Sequence, residues 1–514
     1  MLLVNLKESR IQVSVRFPAE WQCQQRARQS LLKYRGNLSK RRKIMAIISA
    51  QQPKGQKIGL AAQLRRAGTG MQGLVAGTFL AMGLAACLPL AALTFPEAAE
   101  TVRTSQREQQ VQQVRPENYD LLDRPVMDDN VRHWRSLLWT TALVEPQEGF
   151  VADAIAGILP LSSQTGLSPG QQQVVEMTLQ VGTQLYLVNS DIYAPVGDQF
   201  RQVINQSRNP KWVGMAFSAL MQSSIDGAER QALADLIRQR FPRWSQNVHL
   251  YTTLKDANLR DREPELPPLK DLINWTIVQG ESQMYVICSR DRGDLCQTVL
   301  KDGQGQFVRE GGELWSVPLL LRTLHHGLAW NFTRGETPQG IYRIEGTRAP
   351  ERKTFRAFGA FPLVKLFIPY ESGVKSFVPG KTGSLQGGLG SYRALLPPSW
   401  RNYFPIQQSY WAGKAGRSLF RIHGSGESPN FFSNNRRFPE SLEWNPTIGC
   451  LSAIELYDRT GRLQQADMPK ILQALRALGG QDFTGYLIVV DVPGNPAALT
   501  LQEIETAIAT ASQP

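Results

Sequence analysis

Glu336-Thr337-Pro338-Gln339-Gly340-Ile341-Tyr342-Arg343-Ile344 is the stretch from which the C-terminal fold is read. Pro338 and Gly340 are turn residues, and the β-branched and aromatic residues that follow favour a strand. Working outward, short runs rich in Val, Ile, Tyr and Phe at 284–288, 314–321, 340–345 and 419–423 alternate with Gly-rich turns, the texture of a β-rich domain. The chain ends in an expected helix over 466–478, a buried-type strand at 485–491 (GYLIVVD) and a last helix near 500–510. Upstream the pattern is helical, from about 119 to 258. Ser168-Pro169 and Asn209-Pro210 each read as an N-cap followed by Pro at the first helical position. Leu233, Leu236, Ile237 and Phe241 recur at helical spacing, and Pro242 closes that helix. REPELPP at 262–268 reads as a linker between the two textures.

The chain has 514 residues and a formal net charge of +13, which at first suggests a nucleic-acid partner. The distribution excludes that class. Residues 1–72 hold 15 Lys and Arg against two acids, Glu8 and Glu20, which accounts for all of the +13; the remainder holds 42 of each sign. The basic tail precedes an uncharged run of 23 residues at 73–95, GLVAGTFLAMGLAACLPLAALTF. A helix of that length spans roughly 34 Å, enough for a bilayer core of ~30 Å. Lys54, Lys57, Arg65 and Arg66 lie before the run, and Glu97 and Glu100 after it. The positive-inside rule then expects a cytoplasmic N-terminus, a single span in the cytoplasmic membrane and an extracytoplasmic remainder. A cleaved signal peptide, or lipidation at Cys87 through Leu84-Ala85-Ala86-Cys87, are alternatives, and the true start could be Met45 or Met71. Residues 97–118 read as a polar stalk or exposed helix.

Two short stretches carry chemistry. Arg421-Ile422-His423-Gly424-Ser425 ends an apolar run on a histidine, and Thr447-Ile448-Gly449-Cys450-Leu451-Ser452 offers a cysteine just after glycine. A Cys–His pair can make a thiolate nucleophile, because the imidazole takes the proton. A glycine before the nucleophile lets backbone N–H groups approach an oxyanion. The same cysteine could equally be a buried, inert thiol. Gly380-Lys381-Thr382 lacks the first glycine of a phosphate loop, since Lys375 stands there, so nucleotide binding is excluded. Segment 348–416, which surrounds it, is expected to be a lid or insertion over the site. His325-His326-Gly327, His133 and His249 are expected to be structural. Cys288 and Cys296 flank seven residues centred near Arg292. A hairpin there would set them opposite each other on paired strands, close to disulfide geometry.

Taken in order, Thr337-Pro338-Gln339-Gly340, His423-Gly424-Ser425 and Thr447 through Cys450 resemble the catalytic domain of the L,D-transpeptidases, cysteine enzymes of peptidoglycan cross-linking. The resemblance covers roughly residues 271–462. It implies Cys450 as nucleophile and His423 as base, with Gly449, Gly424, Ser425 and Thr447 as oxyanion or supporting residues. Ile448 stands where the family usually has His, Ser452 where it usually has Arg, and the gap holding 430–437 is longer than usual. The implied fold class is α+β: an N-terminal transmembrane helix (73–95), a small all-α domain (97–265) and a β-rich catalytic domain (271–514) with the insertion at 348–416. The implied activity is acyl transfer from a peptidoglycan stem peptide through a thioester, ending in a 3→3 crosslink. Hydrolysis by the same site and a catalytically inactive wall-binding scaffold are the alternatives. No metal or organic cofactor is implied, nor any nucleic acid.

Overall fold

A computed structural model describes residues 93–261, 264–290, 292, 295–424, 447–492 and 500–509. Tail residues 1–72 and most of the expected span lie outside these, as does Ser425. Among the described residues no helix is long and apolar enough to cross a membrane. Thr94 and Phe95, taken above as the end of the span, belong instead to the folded part. Thr94 bridges Arg462, the Phe95 N–H donates to the Gly461 carbonyl at 2.8 Å, and the Phe95 ring stacks on Phe355.

The architecture is mixed helix and sheet. Its longer helices are α1 (Glu100–Gln113), α2 (Val131–Val144), α3 (Gly149–Ile158), α4 (Pro169–Val188), α5 (Ala194–Gln206), α6 (Pro210–Gln222), α7 (Gly227–Arg240) and α8 (Val248–Asp261), followed near the C-terminus by α9 (Met468–Gly479) and α10 (Leu501–Ala509). The starts of α4 and α6 are set as the sequence suggests. Ser168 and Gln171 form a capping box across Pro169, and the Asn209 side chain accepts from the Lys211 and Trp212 N–H groups. Helix α4 is buried on nearly all sides and runs through the helical core.

Seven strands make one sheet: β1 (Ser282–Ser289), β2 (Gln297–Lys301), β3 (Gly340–Arg348), β4 (Leu363–Phe367), β5 (Phe420–Gly424), β6 (Leu451–Ala453) and β7 (Thr484–Val492). Their order is β2-β1-β7-β3-β4-β5-β6. The β1–β7 and β5–β6 pairs are parallel and the others antiparallel. The GYLIVVD run forms most of β7. A continuous apolar run suits a strand with neighbours on both edges and cover on both faces. Tyr486, Ile488 and Val490 face one core, while Leu487 and Val489 are buried on the opposite face.

Two expectations need correction. The run at 315–321 is not a strand of this sheet; Glu313–Leu314 forms a small hairpin with Arg309–Glu310, and Leu319 and Leu320 make isolated bridges. Segment 348–416 is not a lid. It supplies β4, between β3 and β5, and sends Phe377, Tyr392, Trp400 and Ile406 into the core beneath Tyr486 and Ile488. Its glycines mark turns between buried aromatic residues.

The helical and sheet portions share the compact unit Thr94–Pro514. Their junction is the stretch before β3. Leu324, Leu328 and Phe332 join the helical core, and the Gln180 side chain donates to the Thr333 carbonyl at 3.0 Å. Cys288 and Cys296 are disulfide-bonded with Cα atoms 4.3 Å apart. The β1–β2 register pairs Ile287 with Gln297, so the next step sets the two cysteines opposite each other, as the hairpin reading expects.

Candidate active site

Strands β5 and β6 bring the two chemical stretches side by side. Ile422 pairs with Leu451 and His423 with Ser452. One step back along both strands, Arg421 lies opposite Cys450. Side chains alternate along a strand, and paired residues of parallel strands share a face, so Arg421, His423 and Ser452 lie on one face of the sheet, while Cys450 sits in the bend just before β6 with its thiol turned to the β5 backbone at Leu419. Cys450 is 8% exposed and His423 4%.

The histidine is held in a definite tautomer. His423 Nδ1 lies 2.7 Å from the Gly424 carbonyl, a geometry that requires Nδ1 to donate. Nε2 then keeps its lone pair, as a general base needs. Phe358 meets the ring edge-on at a centroid distance of 5.1 Å. The carbonyl of Gly424, a residue expected to serve as an oxyanion or supporting group, orients the histidine. A side chain at 424 would collide with the carboxyl of Glu455, which burial pushes up to about 8 and which receives the Ala360 N–H at 2.6 Å.

The cysteine sits at the end of a tight turn. Thr447 Oγ1 donates to the Cys450 carbonyl at 2.7 Å and accepts the Gly449 N–H at 3.3 Å. Gly449, expected among the oxyanion donors, thus has its N–H engaged within the turn. Its φ of +109° favours glycine, and an added Cβ would strike the Arg417 guanidinium and lie 2.9 Å from the Gly335 carbonyl oxygen. The T-P-x-G stretch reaches this turn directly, because Thr337 Oγ1 donates to the Gly449 carbonyl at 3.1 Å. Arg417 ties the two together, donating to the carbonyls of Trp330, Gly335 and Glu336 beside Gly449.

The sulfur does not hydrogen-bond to His423. It donates to the Leu419 carbonyl at 3.8 Å. Burial pushes the Cys450 thiol up to about 11; the Arg421 N–H and the Arg421 and Arg417 charges pull the other way, and Glu371 adds to the rise. Burial likewise pulls His423 down to about 4, opposed by the bond to Gly424 and aided by Arg421. The resting pair is therefore a neutral thiol and a neutral imidazole, not the thiolate–imidazolium pair that the sequence suggested.

Of the surrounding residues, Leu419, Glu371 and Arg417 carried no sequence signal. Leu419 is 67% exposed with φ of +68°, an uncommon conformation for leucine, and its N–H is fixed by Glu371 Oε1 at 2.8 Å. Ile448 is also exposed. Ser452 Oγ is buried without a partner next to His423. Thr337 lay inside a motif, but its contact with Gly449 spans 112 residues, and Arg417 bonds across more than 80. Three of the other histidines lie elsewhere. His325 Nδ1 meets Gln184 Oε1 of α4 at 3.1 Å, His133 Nε2 meets the Asn118 carbonyl at 2.8 Å, and His249 stacks on Phe332. Among the described residues no group of three or more His, Cys, Asp or Glu could hold a metal ion.

No family model, curated protein or solved structure matches the chain.

Proposed function

We propose that the chain is an extracytoplasmic cysteine acyltransferase of the L,D-transpeptidase type, acting on peptidoglycan stem peptides. The observation that carries this reading is the His423 Nδ1–Gly424 bond, which leaves Nε2 as an acceptor on the strand paired with the one that Cys450 immediately precedes. In the reaction, the Cys450 sulfur attacks the carbonyl of the third stem residue as Nε2 takes the thiol proton. The imidazolium then protonates the departing D-alanine amine, and a thioester remains. A side-chain amine of a second stem attacks the thioester and returns its proton through His423, which restores the thiol and leaves a 3→3 crosslink. A neutral resting pair suits this course, since the proton moves only as the carbon–sulfur bond forms. The apolar run before Thr94 would anchor the chain in the cytoplasmic membrane.

The test is incubation of the full chain with purified tetrapeptide muropeptides, read by mass spectrometry. Release of D-alanine together with 3→3 dimers is expected; release without dimers would make the enzyme a carboxypeptidase. Absence of both, with intact substrate, contradicts the proposal.

One observation favours a second reading. A thiol at about 11 with no hydrogen bond to His423 is also what an inert cysteine on a wall-binding scaffold would have. A carbapenem-type β-lactam separates the two, because a working nucleophile is acylated and an inert thiol is not.

A further inference from the structure

A buried guanidinium outside the candidate site is bonded to the stretch that leads into β3. Arg292 follows β1, inside the loop closed by the Cys288–Cys296 disulfide, and is 7% exposed. Its Nε and Nη2 donate to the Asp491 carboxylate of β7 at 2.9 and 3.1 Å. Its Nη1 donates to the Thr337 carbonyl at 2.6 Å. The Asp491 N–H in turn donates to Gln339 Oε1 at 3.1 Å, so Thr337 and Gln339 are both tied to the end of β7. Arg417 takes the carbonyls of Gly335 and Glu336 just before them. The φ of Arg292 is +51°, an uncommon conformation for a residue other than glycine.

Thr337 also touches the cysteine turn, where its Oγ1 donates to the Gly449 carbonyl at 3.1 Å. In a trans peptide the carbonyl oxygen and the following N–H point to opposite sides of one plane. Drawing the Gly449 carbonyl toward Thr337 therefore turns the Cys450 N–H the other way. The Gly449 N–H is already engaged by Thr447 Oγ1.

We propose that Arg292 is a positioning residue for acyl transfer. By holding Thr337 it fixes the Gly449–Cys450 peptide plane and aims the Cys450 N–H as a donor to the oxyanion formed during attack. The inference rests on the acyl-transfer reading of Cys450. The residue type matters, because a guanidinium presents five donors in a rigid plane and serves a carboxylate and a carbonyl at once. An ammonium gathers its donors on one nitrogen.

The experiment compares two reactions of Cys450 in the full chain, with each variant checked for folding by thermal melt. Acylation by a carbapenem passes through an oxyanion, and alkylation by iodoacetamide does not. Arg292→Lys should lower the acylation rate constant about tenfold or more, less than the roughly 10²–10³-fold loss on deleting an oxyanion donor. The half-saturating carbapenem concentration should stay within about twofold, as for an interaction made only in the transition state. Alkylation should be unchanged. Thr337→Val should repeat this pattern and Thr337→Ser should restore wild-type rates. Combining Arg292→Lys with Thr337→Val should slow acylation no further than the slower single variant, because both cut one relay. If Arg292→Lys does not fold, Asp491→Asn carries the test, since it keeps the guanidinium but loosens it; acylation should again fall at unchanged alkylation. A wild-type chain left unacylated removes the acyl-transfer reading and this inference with it. If wild type is acylated and the folded Arg292→Lys or Asp491→Asn variant reacts equally fast, the inference alone is overturned. Alkylation slowed in step with acylation, or effects of Arg292→Lys and Thr337→Val that multiply, overturn it too.

Discussion

At the scale of single residues, the site depends on groups that hold backbone in place. Gly449 is the sharpest case, since its positive φ and the guanidinium beside it both exclude a side chain. Gly449→Ala should destabilise the fold by on the order of 2 kcal/mol or more, read by urea denaturation; a neutral result would mean the turn differs from the one described. In the proposed reaction His423 acts on the transfer step and not on the resting thiol, so its removal should separate two rates. Acylation of Cys450 by a β-lactam should fall by ~10²-fold or more in His423→Ala, the usual reach of a general base. Alkylation by iodoacetamide should change little and should rise only above about pH 9, because burial holds the thiol near 11. If His423→Ala and wild type are acylated equally fast, His423 is not the base. Cys450, His423 and Thr447 could be singled out from short motifs. Arg417, Glu371 and the Thr337–Gly449 bond could not, because they join residues dozens of positions apart, and no local period records such contacts.

At the scale of elements, the hairpin between Cys288 and Cys296 closes a short loop beside the Arg292–Asp491 pair. Replacing both cysteines with Ala should cost roughly 2–3 kcal/mol by the loop-entropy relation, measured by denaturant titration. Free thiols in the native chain by intact mass would remove the basis for that figure. Segment 348–416 belongs to the core, so its deletion should abolish cooperative unfolding rather than only slow turnover. Helix starts at Ser168 and Asn209, the β7 strand and this hairpin were legible because their signals are local: a cap, an apolar run, a symmetric pair of cysteines. Strand β4 escaped because five residues, Leu363–Phe367, sit among glycines and prolines. The run at 315–321 misled because apolar residues packing as irregular chain against the sheet look the same as a strand.

At the scale of the whole molecule, buried titratable groups set the pH range of stability. His325 and His423 are pulled by burial to about 3 and about 4, below the ordinary histidine value near 6.5. The unfolded chain therefore binds these protons first, so their contribution is complete above about pH 6.5 and is lost as pH falls toward 4. Cys450 is raised, so its contribution is complete below its unfolded value of about 8.5 and is lost as pH rises toward 11. Glu455, raised to about 8, works the other way from the histidines, its contribution complete below about pH 4.3 and lost as pH rises toward 8. His325→Gln should shrink the acid-side fall in melting temperature; an unchanged acid limb would show that His325 is not buried neutral. The division of the chain into a helical and a β-rich part was legible from its change of texture, whereas their fusion through 324–333 was not.

The most direct test of acyl transfer is intact-mass spectrometry of the full chain mixed briefly with a tetrapeptide stem. The expected result is a covalent adduct equal to the stem less its terminal D-alanine, mapped to Cys450. It should be absent in Cys450→Ala and strongly reduced in His423→Ala, while His325→Gln retains it. An unmodified wild-type chain, or an adduct that persists in Cys450→Ala, would contradict the assignment of Cys450 as the nucleophile.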